Sequence, residues 1–204
     1  MNAKRILSIA LAVLMIAASV VSASAAQLTE QNPNGQTEVI ARIDGSVPGN
    51  VTYIITIPDV VDFGTLAQPQ TNTDDVKSVD YTVEATKIEG LDPATEQVSV
   101  YVKDQNATVD TDQEFYITNK ANSAVSFTYD VYSARGAQMT AQTKVNGGNM
   151  STNGYYLKGF TEQGQTLDGA LSFNQRQLYG LNIADIAGEY SGYMVFFSAI
   201  ESTN

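Results

Sequence analysis

Through most of this chain apolar and polar residues alternate one for one, and the alternation is broken repeatedly by Gly, Asn, Asp and Pro. In VDYTVEA, Val79, Tyr81, Val83 and Ala85 fall on one side and Asp80, Thr82 and Glu84 on the other. VSVYVK sets Val98, Val100 and Val102 against Ser99, Tyr101 and Lys103, and VSFTYDVY sets Val125, Phe127, Tyr129 and Val131 against Ser126, Thr128, Asp130 and Tyr132. Successive side chains of a strand point to opposite faces, so the pattern predicts strands with one buried and one wet face, the antiparallel habit.

Runs of the same character are TEVIARI (37–43), VTYIITI (51–57), EFYIT (114–118), YYLKGF (155–160), GALSFN (169–174), QLYGLNI (177–183) and SGYMVFFSAI (191–200). About ten short strands with turn residues between them, and no long amphipathic helix, predict an all-β chain. The expected architecture is an antiparallel, immunoglobulin-like Greek-key β-sandwich, preferred to an up-and-down barrel because the strand lengths and spacings are uneven. The last run is apolar on both faces, with Tyr193, Val195, Phe197 and Ala199 on one and Met194, Phe196 and Ile200 on the other, which predicts a central or covered strand. Between strands, the stretch 133–154 is longer than the usual connection, so a hidden edge strand is expected in QMTAQTKV, with Met139, Ala141 and Thr143 on one face.

The N-terminus reads differently. Lys4 and Arg5, the apolar ILSIALAVLMIAASVV and the small residues SASAA form the three-part pattern of a secretory signal peptide, with cleavage expected near Ala25 or Ala26. The expected organisation is a signal peptide at 1–25, a flexible polar leader at 26–36 and one β-sandwich domain at 37–204. Losing Lys4 and Arg5 makes the formal charge of −11 two units more negative, a surface that repels nucleic acid and anionic membrane. No transmembrane span is expected in the mature chain, and FFSAIESTN lacks the apolar tail and basic end of a wall-sorting signal. With no Cys, the exported chain cannot rely on disulfides or a lipidated cysteine, which points to a bacterial source. Its sequons at Asn50, Asn106 and Asn149 occur about as often as composition alone predicts.

The chain has neither His nor Cys, so Ser-His-Asp and Cys-His nucleophiles, His-ligated zinc and redox thiols are excluded. An enzyme built from this sequence would use a carboxylate pair, as glycoside hydrolysis does, and the candidates are Asp59 with Asp62, Asp74 with Asp75, and Asp110 with Asp112 and Glu114. Acidic residues are frequent here, and solvated turns account for them without chemistry. DQNATVDTDQEF from Asp104 fails as an EF-hand loop because Val109 replaces the required Gly and Phe115 the closing Glu. A looser calcium cluster from Asp110, Asp112 and Glu114 is the remaining metal candidate, and no cofactor is expected. Tyr155 and Tyr156 could stack on sugar rings, although tyrosine also fits a half-buried strand with no ligand.

Two stretches, TYIITIPDVVDFGTL and IADIAGEYSGYMVFFSAI, resemble the opening and closing strands of Gram-positive surface β-sandwich proteins of the WxL-domain and fimbrial-adhesin kind. The shared features are the apolar strand, the Ile-Pro step at Pro58, the apolar-Gly turn at Gly64, and the turn Gly188, Tyr190, Gly192 feeding an apolar strand. There is no Trp and hence no W-x-L motif, so wall attachment through that motif does not carry over.

The resemblance implies a secreted or cell-surface, non-enzymatic structural or adhesion protein whose partners are envelope or surface proteins, with glycans as a second class. Two alternatives remain open. One is a fimbria-like subunit that self-associates by β-strand donation, with TEVIARI as donor; an ordinary first strand is preferred for that segment. The other is a carbohydrate-binding module or carboxylate glycosidase. Locally, Pro58 should end VTYIITI, Asp59 should begin a bend, and Gly64 should release the chain into a loop.

Overall fold

In the computed structural model of the protein, residues 25–26, 39–40, 51–110 and 113–203 are described. They form β1 (Ala25–Ala26), β2 (Val39–Ile40), β3 (Thr52–Pro58), β4 (Val76–Glu89), β5 (Glu96–Asp104), β6 (Phe115–Asn119), β7 (Ser126–Tyr132), β8 (Tyr155–Phe160), β9 (Thr166–Asn174), β10 (Tyr190–Ser191) and β11 (Met194–Ser202). The strands assemble into a seven-stranded sheet, β1-β3-β4-β9-β7-β6-β10, and a four-stranded sheet, β2-β11-β5-β8. Pairing is antiparallel except where Val39 and Ile40 of β2 lie parallel to Phe196 and Phe197 of β11. The all-β sandwich is as expected.

Alternation sets the core. Tyr53, Ile55 and Ile57 of β3, Tyr81, Val83 and Ala85 of β4, and Leu167, Leu171 and Phe173 of β9 are buried. Val98, Val100 and Val102 of β5, with Met194 and Phe196 of β11, belong to the same apolar cluster from the other sheet. Each fully buried Val, Ile or Phe contributes about 1.5–3 kcal/mol relative to exposure, so this interface dominates the stabilisation of the sandwich. Tyr53 also joins the sheets directly, its hydroxyl lying 3.2 Å from Ser198 Oγ.

Elsewhere the structure differs from expectation. QLYGLNI is not a strand: residues 175–178 form a 3-10 turn, Gly180 takes φ 73°, and Ile183–Ile186 form a single helical turn. Two asparagines cause this. Asn174 Oδ1 accepts from Arg176 N and Asn182 Oδ1 accepts from Ala184 N, so each side chain caps a turn that competes with extended backbone. QMTAQTKV is not an edge strand either. Thr143 Oγ1 donates to Gln138 O at 2.7 Å and accepts from Thr140 N at 2.9 Å, closing a local turn, and only the Tyr132–Lys144 bridge survives of the predicted pairing. Apart from Ala25 and Ala26, the expected signal peptide and leader lie outside the described residues, as does TEVIARI apart from Val39 and Ile40.

Candidate functional site

The two stretches singled out in the sequence both line one groove of about 940 Å³. Pro58 to Leu66 make one wall without a break, and Ile186 to Met194 make the other. It is also lined by the core residues Tyr129, Leu171 and Leu178, which are buried, and by the half-buried Ile117 and Phe127.

Proline accounts for how the first wall begins. Pro58 is the last residue of β3, and beyond it no residue from Asp59 to Leu66 belongs to a strand. Asp62 Oδ1 then accepts from Gly64 N at 2.7 Å, an Asx turn that turns the chain at Gly64, whose φ of 61° suits glycine. Phe63 is carried inward by this turn and packs edge-on against Tyr129 and Phe173, each at a centroid distance of 5.9 Å. The far end of the wall is tied down by Lys77 Nζ, which donates to Thr65 O at 2.6 Å, and by Gln68 Nε2, which donates to Leu178 O and Leu181 O at 2.8 Å.

Glycine accounts for the second wall. Gly192 packs so tightly on β6 that a Cβ there would collide with Tyr116 O, and Gly188 takes φ 148° beside the Asn119 side chain. Tyr190 pairs with Asn119, its hydroxyl donates to Ile186 O at 2.6 Å, and its ring packs 5.6 Å from that of Phe127. The tyrosine thus fixes both the helical turn and the groove lining at Phe127.

Electrostatically the groove is acidic at its rim and apolar at its base. Asp59 and Asp62 are exposed, and among the described residues neither has a salt-bridge partner. Glu189 pairs with Lys120 at 3.1 Å. Below them burial pushes the Tyr129 hydroxyl above its ordinary range, with the Asp104 charge acting in the same direction.

The remaining candidates sit elsewhere. Asp74 is held by Asn174 and Arg176, whose hydrogen bonds lower its pKa, and Asp75 hydrogen-bonds to Asn174 through its backbone. Asp104 is buried, with Oδ1 accepting from Asn106 N at 2.9 Å and Oδ2 from Tyr116 N at 3.2 Å, and therefore organises the turn after β5. Of the calcium candidates, Asp110 is exposed, Glu114 accepts from Asn146 Nδ2 at 2.8 Å, and Asp112 lies outside the described residues. Among the described residues no three acidic groups gather as metal ligands. Tyr155 is buried and donates to Gln113 O, whereas Tyr156 is exposed and meets Tyr101 edge-on at 5.7 Å. The apolar residues Ile117, Leu178, Ile183 and Ile186 were not identified as site residues by sequence reasoning. The signal that locates the last two is the spacing Asn182 to Asp185, a helix-capping pattern in which Asn182 Nδ2 donates to Asp185 Oδ2 at 3.0 Å.

No family model matches the chain, and no curated protein matches it. Among solved structures, a chain from the work described as "Chaperone-tip adhesin complex is vital for synergistic activation of CFA/I fimbriae biogenesis" is similar at 10% identity and a TM-score of 0.34, over 76% of this chain and 52% of that one. The chain thus spans about half the length of that neighbour. A likeness of this degree is too slight to carry fold or function from one protein to the other.

Proposed function

We propose that this protein is a non-enzymatic structural or adhesive component of a bacterial cell envelope, exported and held at the cell surface through contacts with other envelope molecules. The observation that supports this is the groove between Pro58–Leu66 and Ile186–Met194, which offers apolar lining and main chain where an enzyme would need converging acid and base. The export pattern at the N-terminus agrees with a surface location. In whole-cell binding, fluorescently labelled mature protein should associate saturably with envelope-bearing cells, and Ile183→Asp should weaken that association. Absence of cell association, or hydrolysis of a glycan by the parent protein that Asp59→Asn abolishes, would overturn the reading.

A second reading, assembly by strand exchange, is favoured by one observation. β11 pairs with β5 along its whole length, yet among the described residues its other edge meets only Val39 and Ile40, and the outer edge of β3 meets only Ala25 and Ala26. Edges where a terminal segment pairs are where the equivalent segment of another copy can pair instead. Size-exclusion chromatography with and without residues 26–45 tests it. A full-length protein that stays a folded monomer at high concentration counts against exchange.

A further inference from the structure

The wall formed by Asp59, Val60, Val61, Asp62 and Phe63 follows β3 after a bend at Asp59, and among the described residues no strand lies beside it. Among the described residues the backbone of this segment makes no hydrogen bond to other backbone, and the nearest backbone N–H with a partner is that of Gly64, taken by the Asp62 side chain. Unpaired main chain along a groove is what an added strand requires, since its ladder needs free N–H and C=O groups on one side. The groove is also lined by the half-buried Ile117, Phe127 and Ile186 and by the 49% exposed Ile183. Those surfaces can receive alternate side chains of an extended chain, because a strand presents every second residue to one face.

Charge narrows the occupant further. The groove is lined by Asp59, Asp62 and Glu189 against Lys120 alone, and that lysine is already paired with Glu189. The protein itself carries 22 acidic residues against 11 basic, so a second copy brings mostly like charge to this rim. The geometry points to an extended segment of another protein, apolar residues alternating with Lys or Arg, bound by strand addition along Asp59–Phe63. This rests on the reading of the groove as a binding surface and specifies its ligand.

The test is fluorescence anisotropy on the full mature chain with a short synthetic peptide that alternates lysine with valine and leucine. Controls are the same peptide with glutamate for lysine, and a version N-methylated at alternate backbone positions. The lysine peptide should bind saturably, the glutamate peptide at least about tenfold more weakly, and the N-methylated peptide not measurably. Ile183→Asp and Asp59→Lys should each weaken the lysine peptide several-fold. Both residues are exposed, so an unchanged melting temperature will show that each variant folds, and if one does not, the other still decides the matter. No binding by the lysine peptide overturns the proposal, as does binding indifferent to N-methylation or to both substitutions. Displacement of the peptide by a fatty acid at equal concentration, or dimerisation of the protein abolished by Ile183→Asp, would assign the groove a different occupant and overturn it as well. The titration uses purified protein alone, so its outcome is separate from cell association: the envelope reading can fail while the peptide binds, and the reverse.

Discussion

Tyr81 and Tyr129 are buried beneath the strands, and burial pushes both hydroxyls well above the ordinary phenolic range. Tyr101 is pushed up to about 12, first by burial and then by the hydrogen bond from its hydroxyl to Glu201. A phenol whose pKa is higher in the folded state than the ordinary ~10 ionises first in the unfolded chain as pH rises. The stability it contributes is fully present at neutral pH and is lost as pH climbs from about 10 through the folded-state values. Phenolate absorbance of the folded protein should therefore show Tyr81 and Tyr129 silent above pH ~10, appearing only as the far-ultraviolet circular dichroism collapses. Tyr129→Phe should flatten the alkaline loss of stability. Ionisation of Tyr81 and Tyr129 at about pH 10 with secondary structure intact would contradict this.

At the same scale, Asn146 is a satisfied polar hub: Oδ1 accepts from Val131 N at 3.2 Å, while Nδ2 donates to Glu114 at 2.8 Å and Asp130 at 3.2 Å. Asn146→Leu should cost about 1–3 kcal/mol, because the buried Val131 N–H loses its acceptor. Equilibrium denaturation in urea measures this, and a midpoint unchanged from the parent would show that the hub is dispensable.

Among the elements, the strands were legible and the connections were not. β8 coincides with YYLKGF, and Tyr81, Val83, Ala85, Val98, Val100 and Val102 fall on the buried face their alternation predicts. Period two is enforced by the pleat itself, so it survives in sequence. QLYGLNI failed because short apolar runs cannot distinguish a strand from capped turns, and the deciding atoms are two asparagine side chains. The groove was half visible. Pro58, Gly64, Gly188, Tyr190 and Gly192 stand out as chain punctuation, but that they line one groove depends on the sheet order β7-β6-β10, which local patterning does not encode. Asp59 and Asp62, first considered for chemistry, prove to be the rim and the turn of one wall. The second wall depends on an absent side chain: Gly192→Ala would drive a Cβ into Tyr116 O and lift β10 from β6. The expected cost is about 1–3 kcal/mol, as for other overpacked sites, with faster amide exchange at Tyr190 and Ser191. Parent-like exchange there would mean that the wall yields elsewhere.

Over the whole molecule, the two sheets and the groove share one core. Phe173 of β9 is fully buried, its ring lying 5.9 Å from Phe63 of the first wall and 6.2 Å from Phe127 of the groove lining, and it belongs to the cluster that includes Val100 and Phe196 of the opposite sheet. With no disulfide to hold one part while another opens, cooperation between the sheets must come from this packing. Phe173→Ala should then cost about 3–5 kcal/mol through lost transfer energy and the cavity left behind. The informative quantity is how that loss distributes. If the core is one unit, the transition seen by near-ultraviolet circular dichroism, which reports tyrosine packing at the groove and core, will move together with the far-ultraviolet transition, which reports both sheets. A near-ultraviolet transition that moves alone would show the groove opening as a separate unit on an intact sandwich. The same measurement bears on how a ligand acts. In a single cooperative unit, a peptide bound between the walls stabilises both sheets by mass action, whereas a groove that opened separately would confine that stabilisation to its own transition.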